Sequence, residues 1–275
     1  MRKLSRATLV FLIFLNGYVS LSLELAVLRQ LSFYVGSSAV ITSIIMAIFL
    51  GFMSFGYFMG ESERVNNGKI RSMLNISFLT IAVLSVCAAS FPLITRYFQA
   101  MYSGCVTSGV IQTFIYSLIF LSVGPFLFGF NTTLLSRELY TYSSRATGNI
   151  MAWDTIGSVF GSIATTLLLM PFMGVNYTVV LITVLSVIGA LTLCRRWWVW
   201  IVCMLVMSLS MYINSNSYQQ NRFGILVNNA NSTISVREYT DVRVLYMNGL
   251  PMSVYRRDKS GMADYINYLN ENFID

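Results

Sequence analysis

The sequence contains no histidine. That absence removes Ser-His-Asp and Cys-His catalysis, histidine proton relays and histidine-ligated metals together. Cysteine is scarce: Cys87, Cys105, Cys194 and Cys203 are the only four, three lie inside apolar runs, and none forms a Cys-x-x-Cys pair. Neither a disulfide framework nor a zinc site is indicated, and such thiols are expected to act as small hydrophobes. Charge is scarce as well. Asp, Glu, Lys and Arg make up 11% of the 275 residues, against roughly 25% in an ordinary soluble domain. No metal or cofactor is expected in this chain, and no complete catalytic site is found.

What the sequence has in abundance is apolar surface: 56% of its residues are hydrophobic and the mean hydropathy is +0.66. Water cannot hold that much apolar surface behind so thin a charged skin, whereas a bilayer solvates apolar side chains directly. The expected fold class is an all-α polytopic membrane domain of about seven transmembrane helices, residues 1–213, followed by a small β-meander plus helix tail, residues 214–275.

A helical span needs about 20 apolar residues. Candidate spans lie at 7–28, 38–60, 72–94, 109–135, 150–171, 175–194 and 197–213, joined by short polar connections. Pro92 and Pro171 fall near span ends, while Pro125, beside Gly124 and Gly129, predicts a kink. Arg2, Lys3 and Arg6 precede the first apolar stretch as in a secretory signal, but no small-residue cleavage pattern follows, so a retained helix is expected.

With seven spans, Arg2, Lys3, Arg6, Arg64, Lys69, Arg71, Arg137, Arg145, Arg195 and Arg196 share one side, and only Arg29 and Arg96 fall on the other. By the positive-inside rule the N-terminus is cytoplasmic and the tail lies across the membrane, periplasmic in a bacterial inner (plasma) membrane. The basic pI near 9.3 is then a topology signal and gives no reason to invoke nucleic acid.

In the tail, Thr233 to Tyr239 and Val242 to Met247 alternate as half-buried strands do, and Asn248-Gly249 is a hairpin signal before a returning strand, Leu250 to Tyr255. Gly261 to Asn272 reads as a short helix with Met262, Tyr265, Ile266 and Leu269 on one face. So small a core is expected to need the membrane part or a partner.

Three ionisable residues inside the spans are candidate binding residues. Glu24 and Arg29 are read either as an interfacial pair or as a ligand or proton site, and Asp154 either as a cap or partner of Arg145 or Arg137, or as a ligand residue. Gly51, Gly56 and Gly60, with Gly157 and Gly161 in a G-x-x-x-G pattern, mark expected close helix packing.

Two stretches carry a resemblance. One runs from Asn16-Gly17 through Leu23-Glu24, Val27-Leu28-Arg29 and Gly36 to Leu50-Gly51, Gly56 and Gly60. The other runs from Gly148-Asn149 through Trp153-Asp154-Thr155-Ile156-Gly157-Ser158 and Gly161 to Pro171 and Gly174. Together they resemble the membrane domain fused to bacterial spermidine-synthase-like proteins, the polyamine aminopropyltransferases. Ser235 to Val254 is similar to the N-terminal strand domain of spermidine synthases. The resemblance implies a following Rossmann-like domain that binds decarboxylated S-adenosylmethionine and the amine. No glycine-rich loop after a strand stands in this sequence, so no catalytic residue is carried over. The expectation is the membrane half of a split or shortened enzyme, or a homologue put to another use, with a Rossmann-like methyltransferase-fold subunit or a second copy as partner. A small-molecule transporter or a membrane scaffold is the alternative.

Overall fold

The computed structural model describes residues 4–36, 38–62, 69–103, 108–142, 146–194, 196–240, 242–248 and 250–256. The expected tail helix over Gly261 to Asn272, together with Gly249, Arg145 and Cys105, lies outside the described residues. Among the described residues, ten α-helices precede four strands: α1 (Arg6–Val35), α2 (Ala39–Glu61), α3 (Ile70–Ala89), α4 (Phe91–Ser103), α5 (Gly109–Tyr116), α6 (Val123–Tyr140), α7 (Ala146–Ile163), α8 (Met170–Leu193), α9 (Trp197–Ile213), α10 (Asn216–Phe223), β1 (Ile225–Asn228), β2 (Thr233–Glu238), β3 (Val242–Met247) and β4 (Leu250–Arg256). Two π-helical segments, Ser117–Leu121 and Ala164–Leu169, run into α6 and α8.

Among the described residues, four helical stretches are long and apolar enough to cross a bilayer: Arg6–Val35, Ala39–Glu61, Ile70–Ala89 and Thr147–Leu193. Counting the bent pairs Gly109–Leu121 with Val123–Tyr140 (42°) and Trp197–Ile213 with Asn216–Phe223 (48°) as one span each gives six. The chain is that of a membrane protein. Its spans are less uniform than seven separate runs. The expected span 72–94 stops at Ala89, and Ser90 turns the chain into α4 with Pro92 in its first turn. The expected kink at Pro125 is present as the 42° bend, with the π-helical turn just before it. Proline lacks an N–H for the carbonyl four residues earlier, which frees the preceding turn to widen. Pro171 sits at the start of α8, and Gly174 (φ 82°, ψ 163°) breaks the helical path three residues later.

Three helix pairs pack most closely: α1 with α7, α2 with α6, and α3 with α8. Lipid tails are as apolar as leucine, so helices in a bilayer associate through close van der Waals fit and internal hydrogen bonds. The residues supply both. A Cβ at Gly157 would run into the Phe14 carbonyl, and one at Gly17 into the Asp154 carbonyl. At Gly56 and Gly129 an added carbon would strike the facing backbones of α6 and α2. Ser85 Oγ and Thr183 Oγ1 lie 2.9 Å apart, and Ser210 Oγ donates to Thr183 at 3.2 Å, tying α3, α8 and α9. The outward faces of α2 and α9 carry exposed Met46, Leu50, Phe58, Met204, Leu205 and Leu209. Exposed apolar side chains in such density suit hydrocarbon and not water.

The strands form one antiparallel meander in the order β1-β2-β3-β4. Ile225-Leu226-Val227 after the helix-capping Gly224 forms β1, a strand the alternation reading does not anticipate. Asn248 turns β3 into β4 at φ 51°, while its side chain accepts from the Thr233 N–H at 2.9 Å. Among the described residues of the sheet, only Ile225 and Val244 are buried hydrophobics, so the described part of the sheet has almost no core of its own. Glu238 and Arg243, cross-strand partners, form an ion pair at 2.5 Å, but both are more than half exposed and contribute little.

Candidate functional site

Asn16, Ser20 and Glu24 are four residues apart on α1 and therefore share one face of the helix. That face meets α2, α6 and α7, and the four helices enclose a cavity of about 100 Å³. Glu24 and Asp154 both line it, with Asn16, Ser20, Thr132, Ser158 and the apolar Phe49, Leu50, Met53 and Phe128. Glu24 is only 6% exposed, and no hydrogen bond or ion pair joins its carboxylate to any described residue. The Asp154 carboxylate lies against the Asn16 side chain, yet its Oδ1 is buried with no hydrogen-bond partner among the described residues.

The Asn16 amide is held hard in place. Its Nδ2 donates to the Phe128 carbonyl at 3.2 Å and to Thr132 Oγ1 at 3.1 Å, and its Oδ1 accepts from Asn131 Nδ2 at 3.3 Å. Ser158 Oγ donates to the Gly17 carbonyl at 3.3 Å, one turn below Asp154. The cavity wall is thus mainly apolar, with a fixed amide, three hydroxyls and two carboxyl groups set into it, and no Lys or Arg among the described residues lines it.

Glu24 and Arg29 do not pair. Five residues at 3.6 per turn put them on different faces of α1. Arg29 turns to the sheet instead: Nε donates to the Asn229 carbonyl at 2.9 Å, a terminal nitrogen donates to Thr233 Oγ1 at 3.2 Å, and the other to Ser32 Oγ at 3.3 Å. Asp154 neither caps a helix nor meets Arg137, whose guanidinium donates to the Gly60 and Ser62 carbonyls. It sits on the third turn of α7, beside the α1 backbone.

Of the packing glycines, Gly56, Gly157 and Gly161 all lie where a Cβ would meet opposing backbone, the Gly161 carbon 2.5 Å from the Tyr18 carbonyl oxygen. Gly51 does not. A Cβ there would meet nothing within 4 Å, because that turn of α2 faces away from the bundle.

A second polar assembly joins the sheet to the bundle, and the sequence reading does not single it out. Asn176 Nδ2 on α8 donates to Gln219 Oε1 on α10 at 2.8 Å. Asn228 Nδ2 on β1 donates to Asn176 Oδ1 at 3.0 Å and to Gln30 Oε1 on α1 at 3.3 Å. Thr233 Oγ1 donates to Asn228 Oδ1 at 2.9 Å, and Arg29 donates to that same hydroxyl. The signal available was an amide residue in each of several apolar surroundings, Gln30 and Asn176 above all. Spacing alone could not connect residues about 200 positions apart.

No metal-binding group of three or more His, Cys, Asp or Glu exists among the described residues. Neither a protein-family model, nor a curated protein, nor a solved structure matches this chain.

Proposed function

We propose that this chain is a seven-span integral membrane protein, the membrane portion of a spermidine-synthase-like protein, and that it holds an extramembrane sheet in fixed orientation for a methyltransferase-fold partner. The observation that carries this reading is the grip of Arg29 on Asn229 and Thr233. A sheet with so little core is built into the end of the bundle, as a platform would be, and is not hung from a linker.

The seventh span comes from dividing Thr147–Leu193. A continuous helix of 47 residues would be about 70 Å long, more than twice the roughly 30 Å of hydrocarbon. The non-helical Gly174 is the natural point of division. Seven crossings then place the end of α1, the start of α2, the start of α8 and the end of α9 on one face, where the sheet lies. Arg71, Arg137 and Arg196 fall on the other. That agrees with a cytoplasmic basic face and a sheet across the membrane, periplasmic if the host is bacterial. A cytosolic nucleoside donor does not reach that side, so the part assigned here is anchoring and presentation, not aminopropyl transfer.

Co-purification tests the reading. The full chain, tagged and extracted in mild detergent from its own cells, should bring down a methyltransferase-fold protein, and Arg29→Ala should lose it. Isolation of the chain with no such partner would refute the platform. A second reading, movement of a cationic substrate, is favoured by the Glu24–Asp154 cavity. Equal flux through wild-type and Glu24→Gln liposomes would end it.

A further inference from the structure

Two carboxylates share a cavity inside the helix bundle, and no described Lys or Arg side chain lines it. Ionised acids in a low-dielectric interior are costly unless a positive charge stands beside them. Each state of the cavity must therefore contain that charge, either as protons on Glu24 and Asp154 or as a cation held in the cavity. A neutral, purely structural pair would be expected to satisfy its oxygens within the protein. Here Glu24 is nine-tenths buried and unpartnered among the described residues, and Asp154 Oδ1 likewise lacks a partner. The remaining polar lining consists of hydroxyls and an amide: Ser20, Thr132, Ser158 and Asn16.

Size and donor set narrow the occupant. A water takes about 30 Å³ of liquid, so about 100 Å³ admits an ion with two or three waters and excludes a long organic amine. Calcium favours six to eight oxygens, often several of them carboxylate, and no cluster of three acidic, His or Cys side chains is present among the described residues. A monovalent ion asks for less.

We propose that this cavity, lined by Glu24 and Asp154, binds a sodium-sized monovalent cation, with protons holding the site when the cation leaves. The charged or titratable groups around it are Glu24 on α1, Asp154 on α7 and, near Asp154, Tyr57 on α2. This proposal stands apart from the platform reading and is read without any partner protein.

The test uses the full chain in detergent, with choline chloride replaced by sodium chloride at constant ionic strength. At a hundredfold excess over its Kd, sodium should raise the melting temperature, followed by tryptophan fluorescence, by roughly 5 °C. In weak buffer with a pH-sensitive dye, the same addition should release protons. Glu24→Gln and Asp154→Asn should each lose the sodium response. Should either variant fail to fold, the wild-type protein decides alone. No sodium-specific melting shift together with no proton release overturns the proposal. So does a sodium response kept by a folded Glu24→Gln variant, or a response to calcium chloride and not to sodium.

Discussion

At the scale of single residues, the absence of a side chain is as informative as its presence. Gly157 lies where the α1 backbone at Phe14 leaves no room for a β-carbon, so Gly157→Ala should force α1 and α7 apart. Overpacking of this kind typically costs about 1–3 kcal/mol, and a lowered melting temperature in detergent would register it. Gly51 is the matched control. Its Cβ would enter open space, so Gly51→Ala should not lower the melting temperature. Both glycines look alike in the sequence, each set in an apolar helix with a second glycine four or five residues on. What separates them is which helix faces them, and a single sequence does not state that. Glu24 and Asp154 were legible as anomalies because charge in a span is rare. Their shared cavity was not, since it depends on α1 and α7 meeting in one particular register. The polar stripe Asn16, Ser20, Glu24 was the readable clue.

At the scale of elements, one break in a helix decides how the sheet meets the bundle. Gly174 holds φ 82° and ψ 163°, a backbone region open essentially to glycine, with the Asn228 carbonyl oxygen 3.1 Å from where a Cβ would stand. Gly174→Ala should cost about 1–3 kcal/mol of strain. Because Asn176 follows two residues later and holds Asn228, that strain should appear first as loosening of the sheet, measurable as faster amide exchange in β1 and β2. Arg29 offers a second test at this scale. Its planar fork reaches a carbonyl and two hydroxyls together, a geometry that the single ammonium of lysine cannot copy. Hydrogen bonds from charged groups are worth about 1.5–3 kcal/mol, so Arg29→Lys should speed tryptic cleavage at Arg237 and Arg243 roughly tenfold or more. An unchanged cleavage rate would mean the sheet is held by something else. Apolar runs and turn residues made most helices, the Pro125 bend and the β2–β3–β4 meander readable in advance. Strand β1 and helix α4 were hidden, the first by its shortness and the second because Ser90 interrupts what reads as one continuous apolar span.

At the scale of the whole molecule, the proposed seven crossings make linked demands on charge and on packing. Ten of the twelve basic residues before position 214 belong on one face if the chain crosses seven times, and the sheet-binding ends of α1 and α8 then gather on the opposite face. A phosphatase reporter fused after Asp275 should be active only if the tail lies across the membrane, and one inserted between Glu61 and Lys69 should be silent. Silence at both positions would reduce the crossings to an even number and leave α9 lying along the surface.

The contact between Arg29 and Asn229 spans 200 positions of the chain, and it bears on how the protein is made. While a ribosome is still producing the later helices, the far end of α1 is already inserted, with a guanidinium and the Gln30 amide whose eventual partners do not yet exist. Those groups must meanwhile be tended by water, lipid headgroups or an insertase. Only as Asn228, Asn229 and Thr233 emerge can they be relieved. Closure of the sheet onto the bundle therefore comes only after the helices are in place, and a chain halted just before it would be the species that quality-control proteases meet.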